Sequence, residues 1–501
     1  MTDFGTTEGA GRVLVVGLGV TGDAVVRALG RDNVLVVDDG ATPALAERAK
    51  QRAAELGVEL LLGGGPALAA AVAVASLVVI SPGVAPDHAV HDLAAGAGVA
   101  VVSEVELAWR RATKQGIPVV AITGTNGKTT VTTLVAAMLN ESGYRSVAAG
   151  NIGLPLISAA AGHHEVLVAE VSSFQLEHTD RFRPTVSLWL NLAEDHLDWH
   201  PSTAEYARAK ARIWANQSAE EGDVAIANAD DPVVWRLAPP WATAFTLRGT
   251  TVGQVAAYGI EDGLLRTPRG ELILAVTDLP RALPHDLANS LAATAAAIAA
   301  GASLEACRTV LAGFPGLPHR IEHIGDAGGV SWYDDSKATT PASVLAALAG
   351  FDSVVLIAGG RNKGLDLGVL ASAAARLRSV IAIGDAAPEV VRAFRDVRPV
   401  TTAYSMTDAV AQAEAAACAG DAVILSPGCA SFDWYGSYGE RGDDFVRCAR
   451  ARGVTYDDPN HRPSTAPSGS VHAGGQGPGE RAGHAHPGSD GAARPTKGER
   501  P

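Results

Sequence analysis

The chain has 501 residues, 47% of them hydrophobic, and a formal net charge of −14. A length beyond what one core serves implies two to three domains, and the acidic balance argues against nucleic acid as a partner while leaving room for local phosphate sites. The four cysteines, Cys307, Cys418, Cys429 and Cys448, form no C-x-x-C pair and fit buried thiols in a reducing cytoplasm.

Residues 1–11 are polar, with no basic segment leading into an apolar core, so no signal peptide is expected there. Val13 to Val16 read as a strand that enters Gly17-Leu18-Gly19-Val20-Thr21-Gly22 and a helix. A second strand, Val34 to Val37, ends at Asp38. This spacing is the dinucleotide-binding fingerprint in its proper context, and it equally suits a nucleotide-diphosphate site using the same helix end. Residues 67–80 are too short to span a bilayer and parse as a helix followed by the strand Leu77 to Ile80, so no membrane insertion is expected. Ser81-Pro82-Gly83 forms the turn after that strand, and the first domain closes near Lys114.

The apolar run Ile117 to Ile122 leads into Thr123-Gly124-Thr125-Asn126-Gly127-Lys128-Thr129-Thr130 and then a helix. Strand, glycine-rich loop and helix make a triphosphate cradle: backbone N–H groups turn inward, Lys128 can reach a terminal phosphate, and Thr129 can ligate magnesium. Next come Gly150-Asn151-Ile152-Gly153 and the strand Val166 to Glu170, whose terminal carboxylate sits where a magnesium ion is needed, followed by Val171-Ser172-Ser173-Phe174-Gln175. A strand over Thr185 to Asn191 carries Glu194-Asp195-His196-Leu197-Asp198 just beyond its end, which makes His196 a candidate ligand. In the helical stretch Tyr206 to Trp214, position alone makes Lys210 a surface charge. A strand over Asp223 to Asn228, a β-like region 241–280 and an alanine-rich helix from Leu287 to Ala300 complete the second unit.

The third unit opens near Leu317-Pro318-His319-Arg320 and contains Asp334-Asp335-Ser336-Lys337-Ala338-Thr339. Three strands follow, Ser353 to Ala358 into Gly359-Gly360-Arg361-Asn362-Lys363, Ser379 to Ile383, and Ala422 to Leu425 into Ser426-Pro427-Gly428-Cys429-Ala430-Ser431. The fold class is therefore α/β with three domains: a Rossmann-like sheet over residues 1–114, a central P-loop sheet over 115–315 and a C-terminal Rossmann-like sheet over 316–456. In 457–501 the only large aliphatic residue is Val471, so that tail is expected to be disordered.

Nine ordered motifs, G-L-G-V-T-G, T-G-T-N-G-K-T-T, N-I-G, E-V-S-S-F-Q-L-E, E-D-H, the helix carrying Lys210, G-L-P-H-R, D-S-K-A-T and S-P-G-C-A-S-F-D, make residues 12–455 similar to the Mur ligase family. The resemblance implies an ADP-forming ligase of peptidoglycan precursor synthesis. It would add D-glutamate to UDP-N-acetylmuramoyl-L-alanine through an acyl phosphate, with ATP and two magnesium ions, as a cytoplasmic monomer.

By matching positions, the resemblance also replaces two readings. The first domain would hold UDP rather than a dinucleotide, through Leu18, Thr21, Asp38, Ser81 and Gly83, with Asn151, Ser172 and Gln175 also on the UDP-linked substrate. Lys210 would be a carbamate that joins Glu170 and His196 at a magnesium ion, Thr129 taking the other.

Gly124, Thr125, Asn126, Gly127, Lys128, Thr129, Thr130, Asn289, Arg320 and Asp335 would bind ATP. Lys128, Glu170, His196 and Lys210 would be catalytic, and Lys337, Thr339, Lys363, Ser431 and Tyr438 would surround D-glutamate. Asp286, Asp39 with Gly40, and Tyr438 depart from the family pattern. The residues leave open a related amide ligase with a different amino acid and, from the first motif, a dinucleotide-dependent oxidoreductase.

Overall fold

The computed structural model describes residues 12–196 and 199–456, so the expectations for residues 1–11, for Leu197 and Asp198, and for the tail 457–501 lie outside it. Three sheets follow one another along the chain, as the recurrence of short Val/Ile/Leu runs and alanine-rich helices predicts. The first is wholly parallel: β1 (Arg12–Val16), β2 (Val34–Asp38), β3 (Leu60–Leu62), β4 (Ala75–Ile80) and β5 (Val101–Ser103), in the order β3-β2-β1-β4-β5. Strand order reverses between β1 and β4, which puts a crevice for ligand at the loops after those two strands.

The second sheet holds β6 (Val119–Thr123), β7 (Ser146–Gly150), β8 (Val166–Glu170), β9 (Val186–Trp189), β10 (Val224–Asn228), β11 (Thr243–Phe245), β12 (Thr251–Val252), β13 (Val255–Glu261), β14 (Leu264–Arg266) and β15 (Leu272–Ala275). Its order is β15-β14-β13-β11-β10-β9-β6-β8-β7, parallel as far as β13 and antiparallel beyond, with β12 paired to β13. β6 lies between β8 and β9, fully buried on both faces, so the loop after it opens at the middle of the sheet edge. The third sheet runs β16-β17-β21-β18-β19-β20, with β16 (Glu322–Ala327) antiparallel to β17 (Val330–Asp334). It continues in parallel through β21 (Ala422–Leu425), β18 (Val354–Gly359), β19 (Leu377–Ile383) and β20 (Val400–Thr402).

Two expectations need correction. Cys307, Cys429 and Cys448 are buried free thiols, whereas Cys418 is exposed, because it stands in the turn before β21, where its backbone N–H donates to Asp421. Lys210 is no surface charge: it is 1% exposed, because its helix packs against the phosphate-loop side of the sheet. Among the described residues no helix is long and apolar enough to cross a membrane.

The helix Glu104–Lys114 leaves β5 and ties the first sheet to the second. Its first turn carries Glu104 and Glu106, where the positive end of the helix dipole favours carboxylates. Glu106 is fully buried, and its oxygens accept the backbone N–H groups of Asp180, Arg181 and Phe182 and the Arg110 Nε–H at 2.8 to 3.2 Å. Glu104 accepts from the Ile157 N–H at 2.5 Å, and burial pushes its carboxyl up to about 7. Glu106→Ala leaves those donors unpaired and is expected to cost about 3 kcal/mol, read as a lower urea midpoint.

Candidate active site

The loop after β6 is shaped from below by an asparagine. Asn191, just beyond β9, accepts the N–H groups of Thr125 (3.1 Å) and Asn126 (2.8 Å) on its Oδ1 and donates Nδ2–H to the Asn126 carbonyl at 3.1 Å. Gly127 ends the loop at φ 84°, capping the helix Lys128–Glu141, and a Cβ there would lie 2.6 Å from Asn289 Oδ1. Glycine is therefore required both for the left-handed backbone and for the approach of the helix Pro284–Ala299.

Above this loop lies a cavity of about 550 Å³ lined by residues of the second and third sheets' loops. Of the expected ATP group, Thr125, Asn126, Gly127, Lys128, Thr129, Thr130, Asn289, Arg320 and Asp335 all line it; Gly124 does not. Glu170 and His196 line it from the ends of β8 and β9, and Lys337, Thr339 and Lys363 from the third sheet.

Hydrogen bonds cross between these regions, among them Arg320 Nη2–H to Thr129 Oγ at 2.8 Å and Ser343 Oγ–H to Asn126 Oδ1 at 2.7 Å. The segment around Arg320 is held in uncommon backbone geometry, with His319 at φ 59° and Ile321 at φ 49°. Left-handed backbone at a β-branched residue costs on the order of 1–3 kcal/mol and persists where surrounding contacts impose it. Here the Ile321 N–H donates to Asp335 Oδ1 (3.2 Å), the His319 N–H to Glu322 (2.9 Å) and the Lys337 N–H to the His319 carbonyl (3.1 Å).

Charge is concentrated and poorly solvated. Lys128 donates from Nζ to the carbonyls of Gly124 and Thr125 at 2.9 Å, and burial holds its ammonium below the ordinary lysine range against the pull of Glu170 and Asp195. Lys210 donates to the Gly124 carbonyl at 2.8 Å with its Nζ 4.5 Å from the Tyr206 ring centre. Burial, then the neighbouring Lys128, drives it well below the usual lysine value.

Glu170 is 2% exposed; Oε1 accepts from Asn151 Nδ2–H at 2.9 Å, and Oε2 is buried with no partner. A buried carboxylate oxygen without a hydrogen-bond partner, at the cavity that Lys128, Thr129 and Arg320 also line, fits a cation. His196, at φ 54°, packs edge-on to Phe174, and burial, with Lys128, Lys363 and Lys210, outweighs Asp195 and favours its neutral imidazole. Lys337 sits 3.8 Å over the Tyr438 ring, and burial and Arg320 lower its ammonium to about 8. Burial pushes the Asp335 carboxyl up to about 7, and its Oδ2 accepts from Ser426 Oγ–H at 2.7 Å.

Other expected site residues lie elsewhere. Lys210 is behind the cavity wall, and Ser431 and Tyr438 stand outside the lining. Asn151 joins Glu170 at the central cavity, whereas Ser172 and Gln175 spend their polar atoms on each other in a capping box at the helix Ser173–Glu177.

Leu18, Thr21, Asp38, Ser81 and Gly83 sit at the carboxyl edge of the first sheet. There Asp38 accepts the Leu18 N–H (2.7 Å) and the Gly40 N–H (2.9 Å), and Ser81 Oγ–H donates to the Gly17 carbonyl (2.9 Å). Asp39, a departure from the family pattern, pairs with His88 at 3.1 Å. Sequence reasoning missed Asn191, Arg281, Asp195 as a cavity residue, and Ser343; Asn191 had one signal, its place at a strand end beside the phosphate loop.

Three comparisons with known proteins bear on this arrangement. Residues 11–103 match the Mur ligase MurD-like N-terminal domain, 122–297 the Mur ligase middle domain and 319–429 the Mur ligase glutamate ligase domain. The first of these matches sets aside the dinucleotide reading of the Gly17 motif. The UDP-N-acetylmuramoylalanine–D-glutamate ligase of Frankia casuarinae is 42% identical over 88% of this chain and 94% of its own length. The enzyme of that name from Desulfosudis oleivorans is 41% identical over 88% and 96%.

Among solved structures, the MurF ligase from Thermotoga maritima in complex with ADP shares the fold, with a TM-score of 0.53 and 16% identity over 72% of this chain and 92% of that one. With all three sheets accounted for by its domains and relatives this similar over nearly nine-tenths of the sequence, the chain belongs to the Mur ligase family, in the branch of the UDP-N-acetylmuramoylalanine–D-glutamate ligases.

Proposed function

We propose that this chain joins D-glutamate to UDP-N-acetylmuramoyl-L-alanine at the expense of ATP, a step of peptidoglycan precursor synthesis. The observation that carries the reading is the convergence of Lys128, Thr129, Glu170, His196, Arg320, Lys337 and Lys363 on one cavity between the second and third sheets, in a chain of this ligase branch. In this reading residues 1–114 hold UDP, 115–315 bind ATP and 316–456 bind the amino acid. The enzyme acts as a monomer in the cytoplasm, a compartment that suits its four free cysteines.

The L-alanyl carboxylate attacks the γ-phosphorus of ATP, giving an acyl phosphate and ADP. The amine of D-glutamate then adds to the acyl carbon and gives up one proton to solvent, and the tetrahedral intermediate expels phosphate. No side chain needs to act as nucleophile; the work is positioning and charge stabilisation. Backbone N–H groups of residues 124–130 and the Lys128 ammonium hold the phosphates, while Arg320 reaches the same helix start from the opposite wall. Lys337, Lys363 and Thr339 face the carboxylates of D-glutamate, with Tyr438 backing Lys337 and Ser431 assigned to the same group.

Asn289 takes the base side and Asp335 the ribose. Thr129 would hold one magnesium ion, and Glu170, His196 and a Lys210 carbamate a second; the chemistry such ions supply is neutralisation of phosphate and carboxylate charge. Burial and the neighbouring Lys128 disfavour the Lys210 ammonium, and its amine form would add to carbon dioxide with formation of an N–C bond and loss of one proton to give the carbamate.

The test is ATP-dependent phosphate release with UDP-N-acetylmuramoyl-L-alanine and magnesium, comparing D-glutamate, L-glutamate, L-lysine and no amino acid. Release that requires D-glutamate is expected. Release with L-lysine and not D-glutamate would assign the chain a different amino acid, and silence with all of them would remove the ligase reading.

A further inference from the structure

Arg281, in the loop before the helix Pro284–Ala299, makes four hydrogen bonds through one guanidinium. On one side Nη2–H and Nε–H meet Asp286 Oδ1 and Oδ2 at 2.7 and 3.3 Å. On the other, Nη1–H donates to two successive carbonyls, Arg320 at 2.8 Å and Ile321 at 3.1 Å.

The carbonyls belong to the segment in which His319 and Ile321 stand at positive φ, and the side chain of Arg320 spans the cavity to Thr129. The carboxylate belongs to the helix that also carries Asn289, which abuts Gly127 of the phosphate loop. Gly316 leaves room for the fork: at φ 98°, a Cβ on it would lie 2.6 Å from Arg281 Nη1.

We propose that Arg281 is a positioning residue for ATP use: held in register by Asp286, it fixes the backbone from which Arg320 reaches the phosphate loop. A planar fork is needed for this, because a lysine ammonium cannot meet a carboxylate bidentately and two carbonyls at once. The role explains how the aspartate at 286 is accommodated beside the nucleotide: its charge is taken up by Arg281 within the same cavity lining.

The inference rests on the ATP-binding reading, and its test is a double-mutant cycle of Arg281→Met and Arg320→Met. Arg281→Met alone is expected to lower kcat about 30-fold and raise KM for ATP about 10-fold, with KM for D-glutamate within about 2-fold. In the Arg320→Met background the same change is expected to alter each parameter by less than about 3-fold, because the group it positions is gone. Wild-type kinetics in Arg281→Met, or losses that multiply in the double variant, would overturn the proposal, the latter marking an independent structural role.

If Arg281→Met does not fold, Arg281→Lys takes its place in the cycle, since it keeps the charge but loses the fork. The cycle read as the Kd for ATP by calorimetry needs no turnover. A wild-type chain that binds ATP but does not use D-glutamate would therefore remove the functional reading, while the Kd cycle still decides on Arg281.

Discussion

Lys210→Ala is expected to lower D-glutamate-dependent phosphate release by about 10³-fold while ATP affinity changes by less than about 5-fold, a loss confined to the reacting state. The amine is 1% exposed and has no ion pair among the described residues; it meets the Gly124 carbonyl and the face of Tyr206. Lys128, bonded to the same carbonyl, disfavours a second charge there.

A buried lysine without a counter-ion is costly as an ammonium and reactive as a free amine, and in the proposed mechanism a carbamate there would turn it into an anionic ligand beside Glu170 and His196, whose charges it already feels. Alanine removes both the ligand and the amine, so added bicarbonate cannot restore it. Formate or acetate, small enough to occupy the vacated space, is expected to recover about 10-fold of the lost rate. Retention of full activity by Lys210→Ala would remove the carbamate from the mechanism. A signal from labelled bicarbonate on the wild-type chain, absent in the variant, would identify the adduct directly.

The parts of this site that were legible in the sequence are those whose chemistry is local. The loop from Gly124 to Thr130 needs glycine for its backbone and lysine for its ligand within a few residues of each other, and Glu170 and His196 stand at the ends of strongly apolar runs. β7, with the sequence Ser-Val-Ala-Ala-Gly, and the three-residue strands β3, β5 and β20 went unread because pairing with a neighbour, not their own side chains, makes them strands.

Lys210 looked like a surface residue because helical spacing reveals a face but not what covers it; Tyr206 and the phosphate loop do that. Arg281, Asn191 and Ser343 act through backbone atoms or partners 39 to 217 residues away, and no local pattern encodes such pairings.

Lys128→Met is expected to lower kcat/KM by about 10³- to 10⁴-fold, measured by the same phosphate release, and yet to leave the unliganded protein at least as stable as the wild type. The first part follows from position: Lys128 opens the helix that in the proposed reading meets the phosphates, its ammonium lies on two loop carbonyls, and Arg320 approaches the next residue from the far wall.

The second part follows from burial. The folded chain holds this proton less tightly than the unfolded chain, so the unfolded state binds more protons below the ordinary lysine value, and stability contributed at this residue rises with pH. At neutral pH the buried ammonium therefore weakens the fold, and a methionine of similar volume removes that burden. The stability advantage of the variant is expected to shrink as pH approaches about 10, where the wild-type lysine loses its charge in both states. A thermal melt series from pH 7 upward checks this, and a variant less stable than the wild type at pH 7 would mean that the two loop carbonyls depend on Lys128 for their own geometry. An inactive protein with an undiminished melting temperature would instead show a group kept in the fold for its chemistry, held against the preference of its surroundings.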